Sequence, residues 1–285
     1  MTTTPETPHI EAPVIEMPVI EMIDISKSYA HVLALDAVSI SVRRGEVTCV
    51  LGDNGAGKST LIKVMGGFHQ YDSGVMRVNG TEVRFNSPRE ALNAGIATVY
   101  QDLAVVDLME TWRNFFLGSE VRKPSVFKPL DIEHMRATTS EQLANLGIHL
   151  NDVNQPLGTL SGGQRQCVAI ARAVYFGARV LILDEPTASL GVNQSGVVLK
   201  YVAKAREAGI GVVFITHNPH HAYLIGDNFA VLKLGRIRLD ARRSEITVEQ
   251  LVREMAGGDD LAALAHELDR TGAAAPGAVQ AIQAT

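Results

Sequence analysis

Val47-Thr48-Cys49-Val50-Leu51 runs without a break into Gly52-Asp53-Asn54-Gly55-Ala56-Gly57-Lys58-Ser59-Thr60. The first five residues are an apolar, β-rich run, and the next eight match GxxxxGK[ST]. A helical stretch follows from about Lys58. The glycines let the backbone curl so that successive N–H groups face phosphate oxygens. The helix behind the loop adds the positive end of its dipole. Gly52, Asn54, Gly55, Gly57, Lys58, Ser59 and Thr60 are therefore candidate nucleotide contacts. Lys58 is placed to reach the β- and γ-phosphates, and the Ser59 hydroxyl to hold Mg²⁺.

Three further runs have the same character: Ile96–Tyr100, Val180–Asp184 and Gly211–Thr216. None alternates with polar residues, as expected of strands buried on both faces of a parallel sheet with helices outside. Val180–Asp184 continues into Glu185, so a central strand delivers two carboxylates at its C-terminal end, where open α/β sheets bind ligands. Asp184 fits a Mg²⁺ contact, and Glu185 is placed to polarise an attacking water. From about 102 to 178 the rhythm changes, with Thr139–Leu146 and Gly163–Phe176 the clearest helices, and an inserted helical subdomain is expected. Order is expected to begin with a strand over Val19–Ile25. Residues 1–18 repeat Glu-Ala-Pro-Val-Ile and Glu-Met-Pro-Val-Ile and read as a disordered tail. Residues 257–285 read as a loose tail after Gly257-Gly258, with a short amphipathic helix possible over Asp259–Leu268. Residues 19–256 form the expected nucleotide-binding domain.

The chain has 285 residues, 46% of them hydrophobic and 20% charged, enough to bury a core and too apolar for wholesale disorder. A net charge of −5 gives no global positive field for nucleic acid. Cys49 and Cys167 lie far apart and form no CxxC, so neither a disulfide framework nor a zinc knuckle is expected. No apolar stretch approaches the roughly 18 residues that span a bilayer. No basic region followed by an apolar one opens the chain, so a cytoplasmic location is expected, with any membrane role supplied by partner chains.

Leu160-Ser161-Gly162-Gly163-Gln164 precedes the second helix. Its glycines free N–H groups at a helix N-terminus and Ser161 adds a hydroxyl, making a second anion site. One phosphate loop has no obvious need of a second such site. Two chains facing head to tail would use it, each covering the other's loop in a dimer held by ATP.

In these motifs and their order the chain resembles the nucleotide-binding subunit of ATP-binding cassette (ABC) transporters, over roughly residues 20–255. The resemblance implies a P-loop NTPase core of α/β class: a parallel-rich sheet with helices on both faces, an N-terminal antiparallel β subdomain and the inserted helical subdomain. It implies ATP and Mg²⁺ as ligands, and Ser161, Gly162, Gly163 and Gln164 as contacts to the partner's nucleotide. It carries over Gln101 as a contact to Mg²⁺ and water that couples to the membrane partner, His217 as a γ-phosphate contact working with Glu185, and Tyr29 as the aromatic that stacks on adenine. One position departs: Gly191 stands where most of the family has an aspartate that crosses the dimer. Ser189 and Asn193 are the short polar neighbours able to replace that contact.

Val83-Arg-Phe-Asn-Ser-Pro-Arg-Glu-Ala-Leu92, Trp112-Arg-Asn-Phe-Phe-Leu-Gly118 and the Leu190-Gly191 pair resemble ATPases of bacterial monosaccharide importers of the ribose, xylose and fructose type. With one GxxxxGK[ST], the chain looks like the single-cassette, fructose-importer-like branch. The resemblance implies permease chains and a second copy of this chain as partners. It also implies, indirectly, an extracytoplasmic sugar-binding protein, and a place on the cytoplasmic face of the membrane. It admits a nucleoside, polyol or autoinducer importer on the same ATPase type, or a non-transport cassette. Trp112–Phe116 fits either a groove that receives a permease helix or the core of the helical subdomain.

Overall fold

In the computed structural model, residues 17–145, 147–148 and 150–256 are described. β3 (Val47–Leu51) lies at the centre, parallel to β8 (Gly211–Thr216) on one side and to β9 (Asn228–Lys233) on the other. β7 (Val180–Asp184) and β6 (Ile96–Val99) continue the parallel array. β10 (Arg236–Arg242) closes the opposite edge antiparallel to β9, giving the order β10-β9-β3-β8-β7-β6. Every residue of β3 and β8 is buried. The strands divide by the period of two: Cys49, Leu51, Leu181, Leu183, Val212 and Phe214 enter one core, and Val50, Val180, Ile182, Val213 and Ile215 the other. Two buried faces are the reason these runs carry no polar alternation.

The second core is closed by α1 (Lys58–Met65), by α2 (Pro88–Asn93) and by a four-stranded antiparallel sheet of order β2-β1-β4-β5. Its strands are β1 (Ile20–Tyr29), β2 (Val32–Val42), β4 (Ser73–Val78) and β5 (Thr81–Glu82). β1 runs four residues beyond the expected Ile25. Register shifts after Met22 and a left-handed Asp24 (φ 50°) interrupt its alternation, which hides its second half from a period-two reading. The extension puts Tyr29 at the strand end.

The first core is closed by α5 (Gly162–Tyr175), α6 (Val192–Glu207), α7 (Pro219–Ile225) and α8 (Val248–Ala256). Between β6 and β7 the described residues hold α3 (Thr111–Phe116), α4 (Ile132–Asn145) and α5, with no strand of either sheet. The helix expected over Thr139–Leu146 is the second half of α4, and that over Gly163–Phe176 is α5 displaced by one residue. Trp112, Phe115 and Phe116 are buried, and the two phenylalanines cluster with Tyr175 and Phe176, so these aromatics serve as core. Asn114, also buried, staples the chain before α3. Its amide donates to the carbonyls of Val106 and Met109 and its oxygen accepts from the Val106 N–H. The expected tails over 1–16 and 257–285, and the helix over Asp259–Leu268, lie outside the described residues.

Candidate nucleotide site

Register brings the catalytic ends together. Leu51 lies beside Thr216 and Asp184 beside Ile215, so the loops after β3, β7 and β8 leave the sheet at one edge. The phosphate loop turns on positive φ angles at Gly55 (83°) and Gly57 (109°). A Cβ on Gly57 would stand 2.6 Å from the Ala34 carbonyl oxygen, so β2 leaves room for glycine alone. α1 opens at Lys58 with no side-chain cap, which leaves its first N–H groups for an anion. Lys58 is buried, and its ammonium donates to the carbonyls of Gly52 (2.6 Å) and Asp53 (3.0 Å), crossing the loop it belongs to. Asn54 is exposed on the loop, Ser59 is exposed in the first turn of α1 and Thr60 is half-buried.

Glu185 follows β7 in a left-handed conformation (φ 46°), its N–H donating to the Ile215 carbonyl at 2.9 Å. That turn points its carboxylate at His217, whose Nδ1 lies 2.9 Å from Oε1. Glu185 Oε2 is buried and has no hydrogen-bond partner. Burial, then the charge of Glu185, pushes the Asp184 carboxyl above its ordinary range, with Lys58 and Lys63 pulling the other way. Two crowded carboxylates gain from a nearby cation. Asp184, Ser59 and Gln101 each carry a hard oxygen donor of the kind that suits Mg²⁺. Gln101 is exposed just beyond β6. Beside it opens an apolar groove of about 290 Å³, walled by Phe68, Tyr100, Leu103, Val105, Val168 and Phe176.

Ser161 caps α5. Its hydroxyl oxygen accepts from the Gln164 N–H (3.3 Å), and the Gln164 side chain accepts from the Ser161 N–H (3.0 Å), a reciprocal capping box. The Ser161 hydroxyl proton stays available to a ligand. The two glycines have a packing reason that the sequence reading missed. A Cβ on Gly162 would lie 2.8 Å from Leu190 Cδ2, and one on Gly163 3.1 Å from the Gln194 carbonyl oxygen. The head of α5 thus sits directly on Leu190 and the first turn of α6. Among the described residues no hydrogen bond joins Ser161–Gln164 to Lys58, Glu185 or His217.

Gly191 is the N-cap of α6, with ordinary dihedrals (φ −67°, ψ 162°), no side-chain cap and open space where a Cβ would stand. Ser189 and Asn193 flank it, both exposed. Gly191→Asp should therefore cap α6 and raise stability by about 0.5–1 kcal/mol, a gain of roughly 1–4 °C in a thermal melt. A lowered melting temperature would contradict the open geometry.

The chain matches the family model described as ABC transporter over residues 35–188, a span that holds the phosphate loop, Gln101, the Ser161 loop and Glu185. It is 43% identical over 232 residues to the xylose/arabinose import ATP-binding protein XylG of Sulfolobus acidocaldarius, covering 81% of this chain and 91% of that protein. It is 41% identical over 239 residues to the fructose import ATP-binding protein FrcA of Rhizobium meliloti, covering 82% and 92%. Its fold matches the crystal structure of a nucleotide-free ATP-binding cassette from an ABC transporter with a TM-score of 0.72 at 27% identity, covering 84% of this chain and 96% of that one. The chain belongs to the ABC transporter family. It is an ATP-binding cassette, and its enzymatic activity is ATP hydrolysis.

Proposed function

We propose that this cassette energises import of a monosaccharide through membrane permease chains, working as a pair of copies on the cytoplasmic face of the membrane. The sugar rests on the names of the relatives, two of which import xylose/arabinose and fructose. The chain covers more than nine tenths of each of these two relatives. No helix among the described residues is long and apolar enough to cross a membrane, so passage of the solute falls to partners. An extracytoplasmic sugar-binding protein would complete the importer.

The observation that carries the mechanism is the Glu185–His217 pair, 2.9 Å apart at the sheet edge that also bears Lys58 and Asp184. The glycines of the loop and Lys58 take the phosphates of ATP, and Tyr29 takes the adenine. Asp184, Ser59 and Gln101 would hold Mg²⁺, which offsets phosphate charge when bound. Glu185 accepts a proton from water as its oxygen attacks the γ-phosphorus, and the bond to the β-phosphate's bridging oxygen breaks to release ADP and phosphate. His217 contacts the γ-phosphate and steadies Glu185. Ser161–Gln164 closes the site of a second copy, so binding draws two cassettes together and hydrolysis lets them part. The groove beside Gln101 is where that motion would pass to a permease segment.

A site completed by a second copy makes the isolated chain's activity depend on encounter. The specific ATPase rate of the purified chain should rise with its concentration, and tethering to the permease should remove that dependence. A rate per molecule that stays constant on dilution would refute the shared site. Growth of a deletion strain on single sugars tests the substrate, and unimpaired growth on xylose, arabinose, ribose and fructose alike would count against a monosaccharide.

A further inference from the structure

The end of β1 carries a contact network that the phosphate chemistry does not use. The Lys27 ammonium donates to Asp72 Oδ1 at 2.7 Å, and the other oxygen of Asp72 accepts the Ser28 N–H at 2.7 Å. Those two bonds hold the Asp72 carboxyl below its ordinary range. Lys27 stands 5.6 Å from the centre of the Tyr29 ring. The His69 ring lies 5.4 Å from it at 73°, a T-shaped contact. The His69 N–H donates to the Lys63 carbonyl (3.0 Å), in the last turn of α1, the helix that opens with the phosphate loop. Tyr29 itself is 37% exposed at a strand end.

An exposed aromatic at a strand end would sample several rotamers, and stacking on a base would have to freeze one of them. Here a cation and a second ring hold it. We propose that Lys27, clamped by Asp72, and His69 are positioning residues that hold the Tyr29 ring ready for the purine. His69 also ties that ring to the end of α1, the helix that opens at the phosphate loop. The proposal rests on the reading of Tyr29 as the adenine platform.

The test measures binding to the full chain by titration calorimetry with two probes: Mg-ATP, and inorganic tripolyphosphate with Mg²⁺, which reports the phosphate loop without a base. Tyr29→Ala is the reference. Lys27→Met and His69→Ala should each weaken Mg-ATP about three- to tenfold, the cost of ordering one free side chain. Tripolyphosphate should stay within about twofold, and His69→Phe should restore ATP binding by returning a ring. In steady state KM for ATP should rise while kcat holds. If Lys27→Met and His69→Ala bind ATP as the parent does while Tyr29→Ala does not, the positioning role is wrong. Equal losses for ATP and tripolyphosphate overturn it as well. If Tyr29→Ala itself binds ATP normally, the platform reading fails and takes the proposal with it.

Discussion

Glu185→Gln should lower ATP hydrolysis by about 10²–10⁴-fold while Mg-ATP still binds, so that an ATP-bound dimer accumulates. The substitution is nearly isosteric. The left-handed backbone at φ 46° and the N–H bond to the Ile215 carbonyl remain, and the fold is undisturbed. What is lost is the carboxylate proposed to accept the water's proton. The carboxylate stands 2.9 Å from His217, its second oxygen is buried and unpartnered, and it faces the edge that carries Lys58. Lys58, Ser59 and the loop N–H groups are untouched, so phosphate binding is kept. The variant also removes one negative charge next to Asp184, a charge that pushes the Asp184 carboxyl up. Less crowding favours the triphosphate-bound state further. Single-turnover hydrolysis and gel filtration with Mg-ATP read both halves. A variant that turns over ATP at the parent rate would remove Glu185 from its role.

The parts of this site read most directly from sequence are those whose backbone chemistry has one solution. Val47–Leu51, Val180–Asp184 and Gly211–Thr216 are observed at their expected bounds, because strands buried on both faces are apolar end to end and stop where polar chemistry begins. Lys58 starts α1 because Gly57 breaks the strand side and leaves the helix uncapped. Other features depended on neighbours remote in sequence. His69 carries no local signature, since its contact is with a ring at the far end of β1. Phe115 and Phe116 suit a docking groove as well as a core in sequence, and their packing on Tyr175 and Phe176 makes them core. The groove beside Gln101 is assembled from five separate stretches and has no local signature. The capping box at Ser161–Gln164 did have one, a serine followed three residues on by glutamine, and it was read for anion binding instead.

Gly52→Ala should be the most damaging single methyl in the phosphate loop. Gly52 leaves β3 and lies flat against β9. An added Cβ would collide with the Leu232 carbonyl oxygen and sit 3.1 Å from the Ala56 side chain. The carbonyl belongs to a strand paired with β3, so neither backbone has a side chain that can swing away. Relief requires the loop to lift from the sheet, at a cost of about 3 kcal/mol, the upper end for a methylene forced into a packed core. For a chain of this size that is roughly 6–12 °C in melting temperature. The same lift turns the loop N–H groups away from the phosphates and moves the Gly52 carbonyl that receives the Lys58 ammonium, so the rate of ATP hydrolysis should fall about 100-fold, the scale of a 1 Å misplacement. Gly55→Ala is the control. Its φ is also positive (83°), yet a Cβ there meets nothing within 4 Å. It should lose only about 1–2 kcal/mol to the left-handed backbone. Thermal melts of the two variants side by side separate collision from conformational strain. If Gly52→Ala melts no lower than Gly55→Ala, the close approach of β9 does not constrain the loop.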